Sequence, residues 1–153
     1  MVHAGDSYFL SKNADHLRRL QKTADELKAD ASFLVQEVED PRRYGVVVGE
    51  RVSDGIVRVK SLVEKPEKPQ SKLAIMPVYV FHSMILKSLE GTAVGHGGEV
   101  QLTDGIQNMI NRGLNVYGIM IGPDELRLDI GSPDSYWEAQ NLSHKYFSNE
   151  PRS

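Results

Sequence analysis

The chain has 153 residues, 40% of them hydrophobic and 25% charged, a globular composition with room for one domain and its core over residues 1–153. Eighteen basic residues against 21 acidic ones give a net charge of -3, with no basic run longer than two residues; a nucleic-acid backbone needs a concentrated cationic face, so composition argues against that partner. Zero cysteines remove disulfides and thiolate chemistry, and neither a membrane-length apolar stretch nor a secretion signal is present, so the expected location is the cytoplasm with no membrane partner.

In chain order, the apolar approach of MVHAGDSYFL ends at Gly5-Asp6-Ser7. That triplet suits a hydrolase with Ser7 as nucleophile, and it equally suits a metal site with Asp6 as ligand. Asn13 can cap a helix running to about Lys28, with Leu17, Leu20, Ala24 and Leu27 at helical spacing. Residues 32–38 read as a strand, broken at Asp40-Pro41 because proline lacks an amide donor and restricts its predecessor. Residues 44–48 and 56–63 read as strands joined through Ser53-Asp54-Gly55. EKPEKPQS is a loop, and residues 73–81 form a strand in which Pro77 demands an edge position or a bulge.

The second half repeats the alternation. GTAVGHGG is a loop leading into a helix from about Glu99 to Asn111, ended by Gly113. Strands follow at 114–121 and 126–130. Ser132 then caps, and Pro133 opens, a last helix carrying Tyr136, Trp137, Ala139 and Leu142. Alternating strands and helices without internal repeat predict an α/β fold.

Charged residues fall where strands end: Asp6 after the first, Glu64-Lys65 after the hairpin, Asp129 before Gly131. In open α/β sheets ligands bind at the carboxyl ends of strands. Each residue alone also reads as structural: Asp6 as a turn acid, Glu64 and Lys65 as a solvated pair, Asp129 as a cap. Two aspartates brought together offer the hard oxygen ligands that magnesium selects. The hydrolase alternative fares worse. A serine nucleophile needs a histidine and an orienting acid, yet His144 has Asn141 three residues before it, and no Gly-x-Ser-x-Gly elbow exists. The five histidines show no i, i+4 pair, which argues against a helical zinc site.

Six segments in order, AGDSYF, EVEDPRRYGVV, LVEKPEKPQS, AIMPVYVF, GGEVQLTDGI and LDIGSPDSYWEA, resemble the sugar-1-phosphate nucleotidyltransferases of the glucose-1-phosphate thymidylyltransferase and UTP-glucose-1-phosphate uridylyltransferase type. The resemblance runs from about Val2 to Tyr146 and corresponds to the middle and C-terminal parts of that family's catalytic domain. It implies an incomplete nucleotide-diphospho-sugar transferase fold, a Rossmann-like mixed sheet with flanking helices. The opening strand and the Gly-x-Gly-Thr-Arg loop that cradles the triphosphate have no counterpart here. The expectation that follows is a homo-oligomer or a missing N-terminal segment, since an uncovered strand edge invites pairing.

The resemblance also implies roles. Asp6 and Asp129 are the expected Mg2+ ligands, with Asp6, Lys65 and Asp129 carrying catalysis. Gly45 is expected to meet the sugar through its backbone, Glu64 to hold sugar hydroxyls, Lys65 to neutralise the sugar phosphate, and Tyr79 and Glu99 to lie at the sugar pocket. Pro77 stands where the family often has glycine, so a backbone contact with the sugar is not expected there. The implied reaction joins a sugar-1-phosphate, expected to be glucose-1-phosphate, to the nucleoside monophosphate of UTP or dTTP and releases pyrophosphate. A non-catalytic sugar-phosphate binding or assembly module is the alternative.

Overall fold

The computed structural model describes residues 1–95 and 98–148; His96 and Gly97 of the GTAVGHGG loop, and residues 149–153 of the expected domain, lie outside the described residues. A two-residue strand β1 (Val2–His3) precedes the Gly-Asp turn and β2 (Ser7–Leu10) follows it. The helix α1 (Asp15–Glu26) comes next, but Asn13 does not cap it. Asn13 lies inside a 3-10 turn with φ of 50°, and Ala14, with φ of 54°, takes the cap position without a side-chain bond. A capping side chain needs extended backbone to aim its oxygen at the first free amides. Asparagine tolerates the left-handed conformation instead. The buried face of α1 includes His16 and Thr23 beside Leu20 and Ala24.

Strand β3 (Ala31–Glu37) ends before a 3-10 turn at Pro41–Arg43, where the Asp40 carboxylate accepts the Arg42 amide at 3.2 Å. Strands β4 (Gly45–Ser53) and β5 (Ile56–Glu64) form the expected hairpin, turning at Gly55 with φ of 68°. Strand β6 (Leu73–Phe81) has its predicted bounds. A short helix α2 (Met84–Glu90), absent from the sequence reading, follows. Helix α3 (Leu102–Asn111) starts later than Glu99 and ends at Gly113, whose φ is 78°. Strands β7 (Val116–Met120) and β8 (Leu126–Asp129) lead to α4 (Pro133–Ser148), opened by Ser132 Oγ accepting the Ser135 amide at 3.1 Å.

Six strands form one mixed sheet in the order β1-β6-β3-β7-β5-β4, in which β3 and β7 are parallel and the other pairs antiparallel. The β3–β6 register slips where Phe33 faces Tyr79 but Leu34 faces Met76, and this bulge accommodates Pro77. The proline carbonyl remains useful, accepting the Ala4 amide at 3.0 Å beside β1. Alternate residues of the central strands enter opposite cores. Phe33, Val35, Ile75, Ile106 and Met109 cluster with α2 and α3 on one face, and Leu34, Met76, Val78 and Ile119 with Leu20 of α1 on the other. Burial on both faces explains why β3 reads as a nearly continuous apolar run.

Strands β2 and β8 form a separate antiparallel ribbon. Leu10 and Leu128 pack against Ala139 of α4, while Phe9 packs in the α1 core. The ribbon thus lies between α4 and the main fold, with Ser7 and Asp129 opposite each other at its end. Among the described residues no helix is long and apolar enough to cross a membrane.

Candidate active site

The ribbon brings the two predicted aspartates together. Ser7 pairs with Asp129, the Asp6 carbonyl accepts the Ile130 amide at 2.8 Å, and Gly131 sits between the carboxylates. A Cβ on Gly131 would lie 3.2 Å from Asp129 Oδ1 and 3.7 Å from Asp6 Oδ2. Two acids separated by most of the chain therefore face one small volume. Glycine leaves that volume open.

Asp129 is held there by three donors: the Gly131 amide to Oδ1 at 2.8 Å, Ser135 Oγ to Oδ1 at 3.3 Å, and Arg127 Nη2 to Oδ2 at 3.4 Å. The Gly131 amide is the main reason its carboxyl lies below the usual range; burial opposes the shift, and Arg127 and Ser135 add to it. Asp129 is ionised at neutral pH. Arg127 also donates to Ser7 Oγ through Nε at 3.3 Å and Nη2 at 3.0 Å, and its guanidinium lies 5.8 Å from the centre of the Tyr44 ring. Ser7 is buried and engaged by this arginine, with no histidine hydrogen-bonded to it among the described residues. That environment suits an acceptor and not a nucleophile.

Tyr44 joins this ribbon to the second predicted group. Its carbonyl accepts the Lys65 amide at 3.0 Å, which fixes the EKP turn next to the ring that faces Arg127. Lys65 has φ of 40°, a left-handed conformation costly for a side chain with a Cβ. Its ammonium lies 3.7 Å from Glu64 Oε1. Glu64 is in register with Gly45 across the hairpin, and its other oxygen, Oε2, accepts Thr103 Oγ1 at 3.0 Å. A Cβ at Gly45 would meet Thr103 Cγ2 at 2.7 Å and Glu64 Oε2 at 3.3 Å, so glycine lets the first turn of α3 approach the strand.

Tyr79, on β6, stacks on the Phe81 ring with centroids 5.3 Å apart. Burial first, then the negative charge of Glu64, push its phenol above the ordinary range; Arg127 acts the other way and Asp6 adds to the rise. The contacts thus gather Asp6 with Asp129, and Gly45 with Glu64 and Lys65, the two groups joined through Arg127 and Tyr44. Glu99 is exposed in the loop before α3, and its backbone carbonyl accepts the Gly95 amide at 2.9 Å. The sequence reading missed Arg127, Tyr44 and Thr103. The alternation of LRLD in β8 was visible, but nothing in it showed that the arginine faces Ser7.

A divalent cation can be tested against these residues. No group of three or more His, Cys, Asp and Glu side chains suited to a metal exists among the described residues. Two carboxylates facing a gap that a Cβ would fill match the habit of Mg2+, which takes one or two carboxylates and completes its octahedron with water and substrate phosphates. The donor set fits.

Residues 1–145 match the nucleotidyl transferase family. The chain is 36% identical over 110 residues to a UTP–glucose-1-phosphate uridylyltransferase of Pseudomonas aeruginosa, covering 71% of the chain and 38% of that protein. It is 29% identical over 121 residues to a glucose-1-phosphate thymidylyltransferase of Streptomyces griseus, covering 79% of the chain and 32% of that protein. Among solved structures, a UDP-glucose pyrophosphorylase complexed with UDP-glucose superposes with a TM-score of 0.84 at 27% identity, over 92% of this chain and 54% of that one. The chain spans less than half the length of these two curated relatives.

Proposed function

Because the chain belongs to the nucleotidyl transferase family, we propose that it supplies the sugar-phosphate and metal-binding part of an enzyme that transfers a nucleoside monophosphate from UTP or dTTP to a sugar-1-phosphate, with glucose-1-phosphate the first candidate. The observation that carries this reading is the convergence of Asp6 and Asp129 at Gly131, with the Glu64-Lys65 turn joined to them through Tyr44 and Arg127.

In this reaction a sugar phosphate oxygen attacks the α-phosphorus of the triphosphate. An oxygen–phosphorus bond forms, the bond from that phosphorus to the pyrophosphate oxygen breaks, and pyrophosphate carries away the electron pair. Two anions must meet, so the protein's work is positioning and charge neutralisation. Lys65 neutralises the attacking phosphate as a point charge on a strained, fixed backbone. Glu64 accepts hydrogen bonds from sugar hydroxyls through an oxygen not fully used by Thr103. Asp6 and Asp129 hold Mg2+, which when bound withdraws charge from triphosphate oxygens.

Calorimetry with glucose-1-phosphate, followed by pyrophosphate release on adding UTP or dTTP with Mg2+, tests the proposal. Lys65→Ala is expected to lower turnover by roughly 10²–10³-fold, the usual size for loss of one preorganised charge-stabilising group. Sugar-phosphate binding that Lys65→Ala weakens, without turnover under any nucleotide, supports the binding module. Absence of heat with every ligand refutes both.

A further inference from the structure

Arg127 has a place in the site that its strand-tying contacts alone do not exhaust. Its side chain is only 14% exposed, so the guanidinium has lost most of its water and needs acceptors. It takes the neutral Ser7 hydroxyl twice and the ring face of Tyr44. Its one ionic partner among the described residues is Asp129 Oδ2 at 3.4 Å, longer than a good charge-assisted bond. The two oxygens of Asp129 are thus divided. Oδ1 is fixed by the Gly131 amide and Ser135, whereas among the described residues Oδ2 is held only by a cation at long range.

We infer that Arg127 is a built-in counter-cation of the carboxylate pair, which balances Asp129 in the metal-free protein and opposes a divalent cation arriving without its phosphate. The inference rests on the reading of Asp6 and Asp129 as metal ligands. Without Arg127, two carboxylates face one gap with Coulomb repulsion between them, a state that draws any available cation. With it, a bare dication meets a fixed positive charge already on Oδ2. A cation accompanied by the negative triphosphate does not suffer that penalty. Metal loading becomes tied to nucleotide loading. Arg127 is therefore a positioning residue that acts through Asp129.

The probe is Mn2+ alone, titrated into the 153-residue protein without nucleotide, with free Mn2+ read by electron paramagnetic resonance. Removing one fixed charge near a dication is expected to tighten binding roughly tenfold in Arg127→Gln. Arg127→Lys keeps the charge and loses the fork, so it should bind like the parent. Arg127→Met is carried alongside, and circular dichroism reports folding of each variant. A strand tie without electrostatic function predicts that Lys, Gln and Met all behave alike, and that result overturns the inference. Folding failure of both neutral variants assigns Arg127 to stability and also overturns it. Asp129→Asn separates the premise: Mn2+ binding that this change leaves intact, or no binding by any variant, removes the metal reading itself. Binding lost in Asp129→Asn yet not tightened in Arg127→Gln removes only the counter-cation.

Discussion

Gly45→Ala adds a single methyl at the most crowded point of the site. It would lie 2.7 Å from Thr103 Cγ2, 3.3 Å from Glu64 Oε2 and 3.4 Å from Ile75 Cδ1. The strand cannot yield easily, since Gly45 is paired with Glu64 in the hairpin, so the threonine must turn or α3 must retreat. Overpacking of this kind costs about 1–3 kcal/mol. Turning Thr103 also breaks its bond to the Glu64 carboxylate, and hydrogen bonds to charged groups contribute about 1.5–3 kcal/mol. The two losses overlap. A net destabilisation of about 2–3 kcal/mol is expected, lowering the melting temperature by roughly 4–12 °C for a chain of this size. Thr103→Ser removes the offending methyl and keeps the hydroxyl; alone it should cost about 1 kcal/mol for one buried methyl. The double variant should then be no worse than Thr103→Ser. Urea unfolding of the four proteins gives a coupling of about 2 kcal/mol if this geometry is right. Additive losses, within about 0.5 kcal/mol, would refute the contact and with it the role of Gly45 in admitting α3 to the strand.

Other outcomes follow from charged groups elsewhere. Glu125, whose side chain is 7% exposed, accepts from Arg19, the Gly122 amide and Ser11. Glu125→Ala should destabilise by roughly 2–4 kcal/mol, below the full value for a buried pair because Arg19 is partly solvated; guanidinium unfolding measures it. Burial raises the Glu125 carboxyl, but the bonds from Arg19, Gly122 and Ser11 outweigh it and leave the group below its ordinary 4.5, while the Gly131 amide holds Asp129 below 3.8. A depressed folded value means stability present above the unfolded value and lost as pH falls through the folded one. Asp129→Asn should therefore flatten the loss of stability below about pH 4. His16, buried against Phe9, is lowered from 6.5 chiefly by burial. The unfolded chain takes that proton first, so stability falls as pH drops below 6.5, and His16→Phe should remove this slope in a melting series from pH 7.5 to 5.

Much of the fold was legible because the core strands obey simple periodicities. β6 was bounded correctly by its apolar run, Pro77 announced its bulge, and Ser132-Pro133 announced α4. What failed was local chemistry with weak or misleading signals. Helix α2 is seven residues without a side-chain cap bond, and HSMILKSLEG shows too few turns for a period to emerge. Asn13 is a good capping residue and also a good left-handed one, and only the following φ of Ala14 decides between them. At the site, Asp6, Glu64, Lys65 and Asp129 stood at strand ends and could be picked out singly. Arg127, Tyr44 and Thr103 owe their positions to pairings across 39 to 120 residues, and no window of sequence contains both partners.

The two-stranded ribbon has a further consequence. Its strands come from opposite ends of the chain, at residues 7–10 and 126–129, so the acidic gap is among the last features a folding molecule can complete. Loop closure over that span is entropically slow compared with the hairpin β4–β5. A nascent or nicked polypeptide therefore does not bring Asp6 and Asp129 together, and their meeting at Gly131 marks closure of the span from one ribbon strand to the other.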